Sequence, residues 1–282
     1  MVVSAVILSN TKSDSIYQTT LECIESLVSS EKNFTFEIIL IESNQEIQNT
    51  NYQFPEYVQM IQPNETFNFH RFLNIGIKAS SGDFIGLFNN DLIFKKNWMT
   101  EIYKISQKYP ALQSFCPVDF NSKFTPESFF GNQDYLFGYD VRKHVVGWCI
   151  LVKKELFETF KLDERFDFYF ADDDYSLTLR KHNIKHAVVR RSNVIHLENM
   201  ITKEFKKEKD AFFKVKVERE DIPKELLKLN SWILEDEKLL DGYIRFHKKW
   251  GSRRSLKVKN KIFEILTKLR LTKLGYYLYS SN

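Results

Sequence analysis

Phe84–Phe88 is an apolar run that stops abruptly at Asn89-Asn90-Asp91. Gly82-Asp83 bound it on one side and three polar residues on the other, so it reads as a short strand buried on both faces. Open α/β sheets hold their ligands just beyond the carboxyl ends of such strands. A carboxylate delivered there between amides suits a hard divalent cation that also holds phosphate oxygens. A polar strand end is by itself more often a turn. The rest of the chain has to decide.

The first half alternates two periods. Val2–Leu8 reads as a strand, and Ile16, Cys23, Ile24, Leu27 and Val28 mark a helical stripe. Phe36–Ile41, a strand apolar except at Glu37, ends in Glu42-Ser43-Asn44, and Tyr57–Ile61 is a shorter strand. A helix over Phe67–Ala79 precedes the Phe84–Phe88 strand, and another follows from about Asn97 to Lys108. This rhythm predicts a mostly parallel sheet with right-handed crossovers. Phe115–Asp140, rich in Phe, Asn and Gly, has weak periodicity and reads as a long loop over the site. Val145–Val152 returns to strand, Asp172–His182 to helix, and Ile184–Val189 to strand before the short run Val194-Ile195-His196. Beyond about Ile201 the pattern is helical and charged. A domain boundary near 200 follows, with a catalytic unit over 1–200 and a basic helical extension over 201–282.

The chain has 282 residues, 43% hydrophobic, with no stretch that approaches the length of a membrane span. Met1–Leu8 lacks a basic region before its apolar run, and Ser9-Asn10 is not a small-x-small cleavage site, which points to a first strand rather than a signal peptide. Cys23, Cys116 and Cys149 are odd in number and far apart. That spacing argues against a disulfide framework or a zinc site and fits a reducing, cytoplasmic setting.

Two further features carry chemistry. Asp172-Asp173-Asp174 opens a helix pattern, where acids serve either as dipole-compensating residues or as a repelling cluster with a raised pKa. A carboxylate of the second kind can act as a general base on a sugar hydroxyl. His196, at the end of its apolar run, is either a structural imidazole or a second ligand beside Asp91 for Mn²⁺ or Mg²⁺. Carboxylate, imidazole, two diphosphate oxygens and water would make an octahedral set for Mn²⁺.

In order and spacing, these segments resemble the GT-A-fold glycosyltransferases of the family 2 type over roughly residues 2 to 199. Val6-Ile7-Leu8-Ser9-Asn10 is similar to the family's opening strand, and Ile39-Leu40-Ile41-Glu42-Ser43-Asn44 to its second strand with an acidic end. His70-Arg71-Phe72-Leu73-Asn74-Ile75-Gly76-Ile77 resembles its Arg/Asn-rich helix. Phe88-Asn89-Asn90-Asp91 stands where the family carries Asp-x-Asp, with Asn89 replacing the first acid. Val146–Val152 resembles the acceptor-side strand, and Leu162-Asp163-Glu164-Arg165-Phe166 the Phe-Asp-Glu-x-Phe segment. Asp173-Asp174 is similar to the Glu-Asp pair, with Arg180 six residues after Asp174.

The resemblance implies a GT-A, Rossmann-like sheet, split into a nucleotide-sugar half over about 1–95 and an acceptor half over about 96–200. It implies an inverting transfer from a nucleoside diphosphate sugar. Ser9, Asn10, Glu42, Arg71, Asn74, Asn89 and Asn90 would frame the donor, and Asp91 with His196 would hold Mn²⁺ or Mg²⁺. Asp174 is the first choice for the base, Asp172 the second through an Asp-x-Asp-Tyr form, and Asp173 completes the cluster. Trp148 is a candidate for stacking on an acceptor ring. Glu42 in place of the usual Asp leaves the base of the nucleotide open.

Other classes fit less well. A glycoside hydrolase needs two carboxylates but no strand-end metal. A nucleotidyltransferase would show a Gly-rich, basic phosphate loop after the first strand, and Ser9–Asp14 has neither Gly nor Arg. A donor-binding module without turnover is favoured only by Asn89. The expected acceptor is an envelope or capsular glycan, free or lipid-linked, ahead of protein or modified DNA. From Arg253 to Lys273 eight basic residues face Glu264 alone. Leu256, Ile262, Phe263, Ile265, Leu266, Leu269 and Leu274 lie among them. Such a segment (253–274) either lies on anionic lipid as an interfacial helix or packs on the catalytic unit or a second subunit of a homodimer. Nucleic acid is a lesser partner for it.

Overall fold

A computed structural model describes residues 1–119, 121, 127–197, 220–227 and 236–280. Its strands are β1 (Val2–Ser9), β2 (Thr35–Glu42), β3 (Val58–Ile61), β4 (Phe84–Asn89), β5 (Leu92–Phe94), β6 (Leu112–Asp119), β7 (Tyr135–Phe137), β8 (Cys149–Lys153) and β9 (Lys185–His196). Helices α1 (Asp14–Ser29), α2 (Phe69–Ala79), α3 (Trp98–Lys108), α4 (Leu156–Thr159) and α5 (Ala171–Lys181) alternate with them. After these come α6 (Lys224–Leu227), α7 (Glu237–Trp250), α8 (Arg253–Lys268) and α9 (Thr272–Ser280).

The strands form one sheet in the order β3-β2-β1-β4-β8-β6-β9-β5, with β7 on β9. Six of its nine strands, β1, β2, β3, β4, β6 and β9, run the same way, so the sheet is mostly parallel. β1 has β2 on one side and β4 on the other, which makes its carboxyl end a switch point of the sheet. Register brings Ser9 opposite Glu42 and Leu8 opposite Asn89 there.

Period-two alternation explains why these segments are apolar throughout. Ala5 and Ile7 of β1 join Cys23, Ile24 and Leu27 of α1 on one face of the sheet, and Val6 and Leu8 join Phe72 and Leu73 of α2 on the other. α2 presses so close that a Cβ at Gly76 would lie 2.2 Å from Val6 Cγ1. Side-chain caps start the helices: Ser13 Oγ accepts from Ile16 N at 3.4 Å, and Asn68 Oδ1 accepts from Arg71 N at 2.9 Å.

Three element assignments are corrected. Phe115–Asp140 is not one long loop, because β6 runs through to Asp119 and β7 pairs with β9. β6 lies between β8 and β9, so Phe115 and Cys116 are buried on opposite faces and no polar alternation marks the strand. Pro117 is accommodated where the β6–β9 register shifts. β8 begins at Cys149, since Cys149 N donates to Val146 O in a turn that carries Gly147-Trp148 ahead of the strand. The two short strands expected at Ile184–Val189 and Val194–His196 are one strand, β9, which starts at Lys185 and carries the same irregularity.

The boundary near 200 falls outside the described residues. Trp250, Leu256, Phe263, Tyr276 and Tyr279 share a core with Tyr139, Tyr175 and Leu179, so α7, α8 and α9 pack on the sheet's helical layer. Arg180 joins the two parts: its buried guanidinium lies 4.9 Å from the Tyr139 ring, 5.7 Å from Phe263 and 5.4 Å from Tyr279. Tyr139 Oη also donates to Ile184 O at 2.7 Å and lies 2.8 Å from Tyr276 Oη.

Candidate active site

The carboxyl ends of β1, β2 and β4 are tied by a buried polar network. Glu42 is fully buried, yet Thr11 N and Asn44 N donate to its Oε1 at 3.0 and 2.7 Å, and Thr11 Oγ1 donates to Oε2 at 2.6 Å. Such saturation compensates the desolvated carboxylate and fixes the turns after β1 and β2. Ser9 Oγ lies 2.9 Å from Thr11 Oγ1, and Asn90 Nδ2 donates to Thr20 Oγ1 at 2.8 Å. Ser9, Glu42 and Asn90 are therefore buried together at the strand ends, where an open α/β sheet takes its ligand, with Asn10 exposed and Asn89 half-buried beside them.

Asp91 sits at the sharp turn between β4 and β5. Because β5 pairs antiparallel with the end of β9, His196 stands opposite Leu92, and Leu197 N donates to Asp91 O at 2.9 Å. His196 Nε2 ends 3.3 Å from Asp91 Oδ1. That carboxylate oxygen is buried and accepts no hydrogen bond. Adjacent ligands of an octahedral Mg²⁺ or Mn²⁺ lie roughly 3 Å apart, which follows from bonds of about 2.1 Å at right angles. The pair fits two neighbouring corners of such a set. Among the described residues no group of three or more His, Cys, Asp or Glu side chains gathers to hold a metal, so the other corners would fall to substrate and water.

Trp148 links this pair to the acidic cluster. Its ring stacks on His196 with centroids 5.0 Å apart and planes 18° apart, and its carbonyl accepts from Asn89 N at 2.9 Å. The preceding residue, Gly147, meets Asp172 so closely that a Cβ there would fall 1.9 Å from Asp172 Oδ1. Only glycine allows this approach, and the Gly147 backbone N–H hydrogen-bonds to the carboxylate.

Helical rotation sends the three aspartates in different directions. Asp172 lines a small cavity with His70, Leu87, Gly147, Ile150 and Tyr175. Burial, reinforced by Asp173, pushes its carboxyl up to about 6. Burial also raises Asp173, whose positive neighbours are Arg253 and Arg142. Asp174 turns towards α7, where its Oδ1 accepts from Trp250 Nε1 at 2.7 Å and pairs with Lys249 Nζ at 2.6 Å. Burial raises the Asp174 carboxyl too, and Lys249 and Trp250 offset part of that rise.

Lys249 holds Asp163 Oδ2 at 2.7 Å as well. Neither Lys249 nor Trp250 was recognisable from the sequence, because their partners lie far away in the chain and the local signal is only a charged helix end. Lys249→Met should leave the buried Asp174 carboxylate without its cation, while Asp163 keeps Arg165 at 2.6 Å. The expected loss of stability is about 2–3 kcal/mol, at the low side of the cost of breaking a buried pair because Lys249 keeps some exposure. Chemical denaturation checks it, and an unchanged midpoint would mean the pair contributes nothing.

Arg71 and Asn74 act at one remove from these strand ends. Arg71 pairs with Glu65 at 2.7 Å and Glu164 at 3.0 Å. Asn74 donates through Nδ2 to Leu162 O at 2.9 Å and accepts through Oδ1 from Leu162 N at 3.2 Å. His70 Nδ1 lies 2.9 Å from Asp163 O. All three fasten α2 to the segment Leu162–Phe166 that leads into α5.

The sequence matches the model of glycosyl transferase family 2 over residues 6–161. Among solved structures, the chain is similar to S. aureus TarS 1-349 in complex with UDP-GlcNAc, with a TM-score of 0.50 and 12% identity over 69% of this chain and 57% of that one. It is also similar to GalNAc-T7 with UDP, GalNAc and Mn²⁺, with a TM-score of 0.53 and 14% identity over 70% of this chain and 44% of that one. At these identities the likeness is one of fold. The chain spans 57% or less of the length of either neighbour. No curated protein matches it.

Proposed function

From the chain's membership of glycosyl transferase family 2, we propose that it is a glycosyltransferase that moves a sugar from a nucleotide sugar to an acceptor hydroxyl by a metal-assisted, inverting transfer, with Asp172 as the base. One observation carries the reading. The dipeptide Gly147-Trp148 stands between the Asp91–His196 pair, which Trp148 contacts through His196, and the Asp172 carboxylate, which abuts Gly147.

In this reading Ser9, Asn10, Glu42, Asn89 and Asn90 frame the nucleotide, Glu42 by fixing the turns rather than by offering a free carboxylate. Arg71 and Asn74 position the segment that carries α5. Asp91 and His196 hold Mn²⁺ or Mg²⁺, which when bound would offset the negative charge of the departing diphosphate. Asp172 accepts the proton of the acceptor hydroxyl as that oxygen bonds to the anomeric carbon. The bond from carbon to the diphosphate oxygen breaks on the opposite face, so configuration inverts. Asp174, bound by Lys249 and Trp250, orients the first turn of α5, and Asp173 stays beside the base. Trp148 sets the rotamer of His196 and offers the exposed part of its ring to an acceptor sugar.

We extend the reading to a uridine diphosphate sugar as first donor to test, since the two neighbours were solved with UDP or UDP-GlcNAc. The acceptor in this reading is an envelope or capsular glycan, lipid-linked or free. Diphosphate release from a panel of nucleotide sugars, with Mn²⁺, Mg²⁺ or EDTA, tests it. Donor binding with no release under any condition would instead favour a binding module, the reading to which Asn89 leans.

His196→Ala gives a finer check. With Asp91 left alone, the Mn²⁺ concentration for half-maximal rate should rise roughly tenfold or more, while the rate at saturating Mn²⁺ falls less. An unchanged metal requirement would return His196 to a structural role.

A further inference from the structure

The basic tail has two apolar faces, and only one of them packs on the protein. Leu256 and Phe263 of α8 are buried at 6% and 3% exposure, and Tyr276 and Tyr279 of α9 are buried with them. On the opposite side of α8, Val258, Ile262, Ile265 and Leu269 follow one another at spacings of four, three and four and are 56%, 40%, 50% and 62% exposed. Leu271, Leu274 and Tyr277 continue this exposed surface through the turn and along α9. Packing on the sheet layer thus accounts for half of the apolar pattern and leaves a second stripe facing outward.

Charge decides what fits the stripe. Arg254, Lys257, Lys261 and Lys268 recur at spacings of three, four and seven, so they border it along its length, and Lys259 stands on its other side. Arg270 and Lys273 add two more cations at the turn, and Glu264 is the one acid of this segment. Two copies of so basic a face would repel on contact, whereas a negatively charged surface would be attracted. No helix among the described residues is long and apolar enough to cross a membrane.

We propose that α8 and α9 form a docking surface for an anionic lipid bilayer. Val258, Ile262, Ile265 and Leu269 enter the boundary between headgroups and acyl chains, while the bordering lysines and arginines lie among the lipid phosphates. Leu256, Phe263 and Tyr279 hold the hairpin on the catalytic unit, so docking tethers that unit to the membrane. Lipid docking does not rest on the transfer reaction, and its test uses no donor and no acceptor.

The test is flotation of the full chain with phosphatidylcholine vesicles, with and without phosphatidylglycerol. Wild-type protein should float with the mixed vesicles at low salt and stay behind with the neutral ones. Ile265→Glu with Leu269→Glu should abolish flotation. Lys257→Glu with Lys261→Glu should weaken it roughly tenfold or more. All four positions are exposed or border solvent, so the variants should melt like wild type. Equal binding to both lipids, or none to either, would overturn the proposal. So would a concentration-dependent dimer by sedimentation that disappears in the Ile265→Glu, Leu269→Glu variant, since the stripe would then be a seam between copies.

Discussion

Asp91→Ala should lower turnover roughly a thousandfold or more, a loss of the size expected when charge stabilisation at a departing diphosphate is removed. The protein itself should be unharmed. Asp91 Oδ1 is a buried carboxylate oxygen that accepts no hydrogen bond, although it lies 3.3 Å from His196 Nε2, so deleting it relieves a desolvation cost that offsets the lost pairing. The melting temperature should therefore stay close to that of the wild type. Donor affinity measured with Mn²⁺ should drop, while the affinity measured in EDTA should match wild type. Near wild-type turnover in Asp91→Ala would place the metal, or the site, elsewhere. A large fall in melting temperature would show instead that Asp91 is a structural residue of the β4–β5 turn.

Asp172→Asn should cut turnover roughly 10²- to 10⁴-fold, the range for loss of a positioned general base. Asparagine is nearly isosteric and keeps an oxygen for the Gly147 N–H, so donor affinity should persist. The pH profile gives an independent reading. Burial and Asp173 raise the Asp172 carboxyl to about 6, and a base works only when ionised. The rate of the wild-type protein should accordingly fall as pH drops through about 6 and level off above it. In Asp172→Asn that acidic limb should vanish. Asp174→Asn makes the comparison sharp, because Asp174 is bound by Lys249 and Trp250. It should lose stability more than rate. If Asp174→Asn were the slower of the two variants at equal stability, the base would be Asp174.

Much of this arrangement was legible because it is local. The apolar run Phe84–Phe88 and its polar stop determine a buried strand with Asp91 at its end, whatever surrounds them. The same holds for β1 and β2, whose ends at Ser9 and Glu42 follow from where hydrophobicity stops. Even the unrecognised strand β6 fails for a local reason: a central strand covered on both faces carries no alternation to read.

Which carboxylate is the base is another matter. Asp172, Asp173 and Asp174 are adjacent and chemically identical, and only the family resemblance, through Arg180 six residues on, ranks Asp174 first. Helical rotation separates their directions, and distant partners give each a different surrounding. Gly147 makes room for the Asp172 carboxylate beside it, and Lys249 with Trp250, arriving on α7, occupy Asp174. The basic tail divides in the same way. Its composition establishes an amphipathic, cationic segment that cannot span a bilayer. Only the packing of Leu256 and Phe263 on the sheet layer decides that a second apolar stripe remains outside. Periodicity along a chain reports local burial, whereas the direction a side chain takes depends on neighbours that folding brings from far along the sequence.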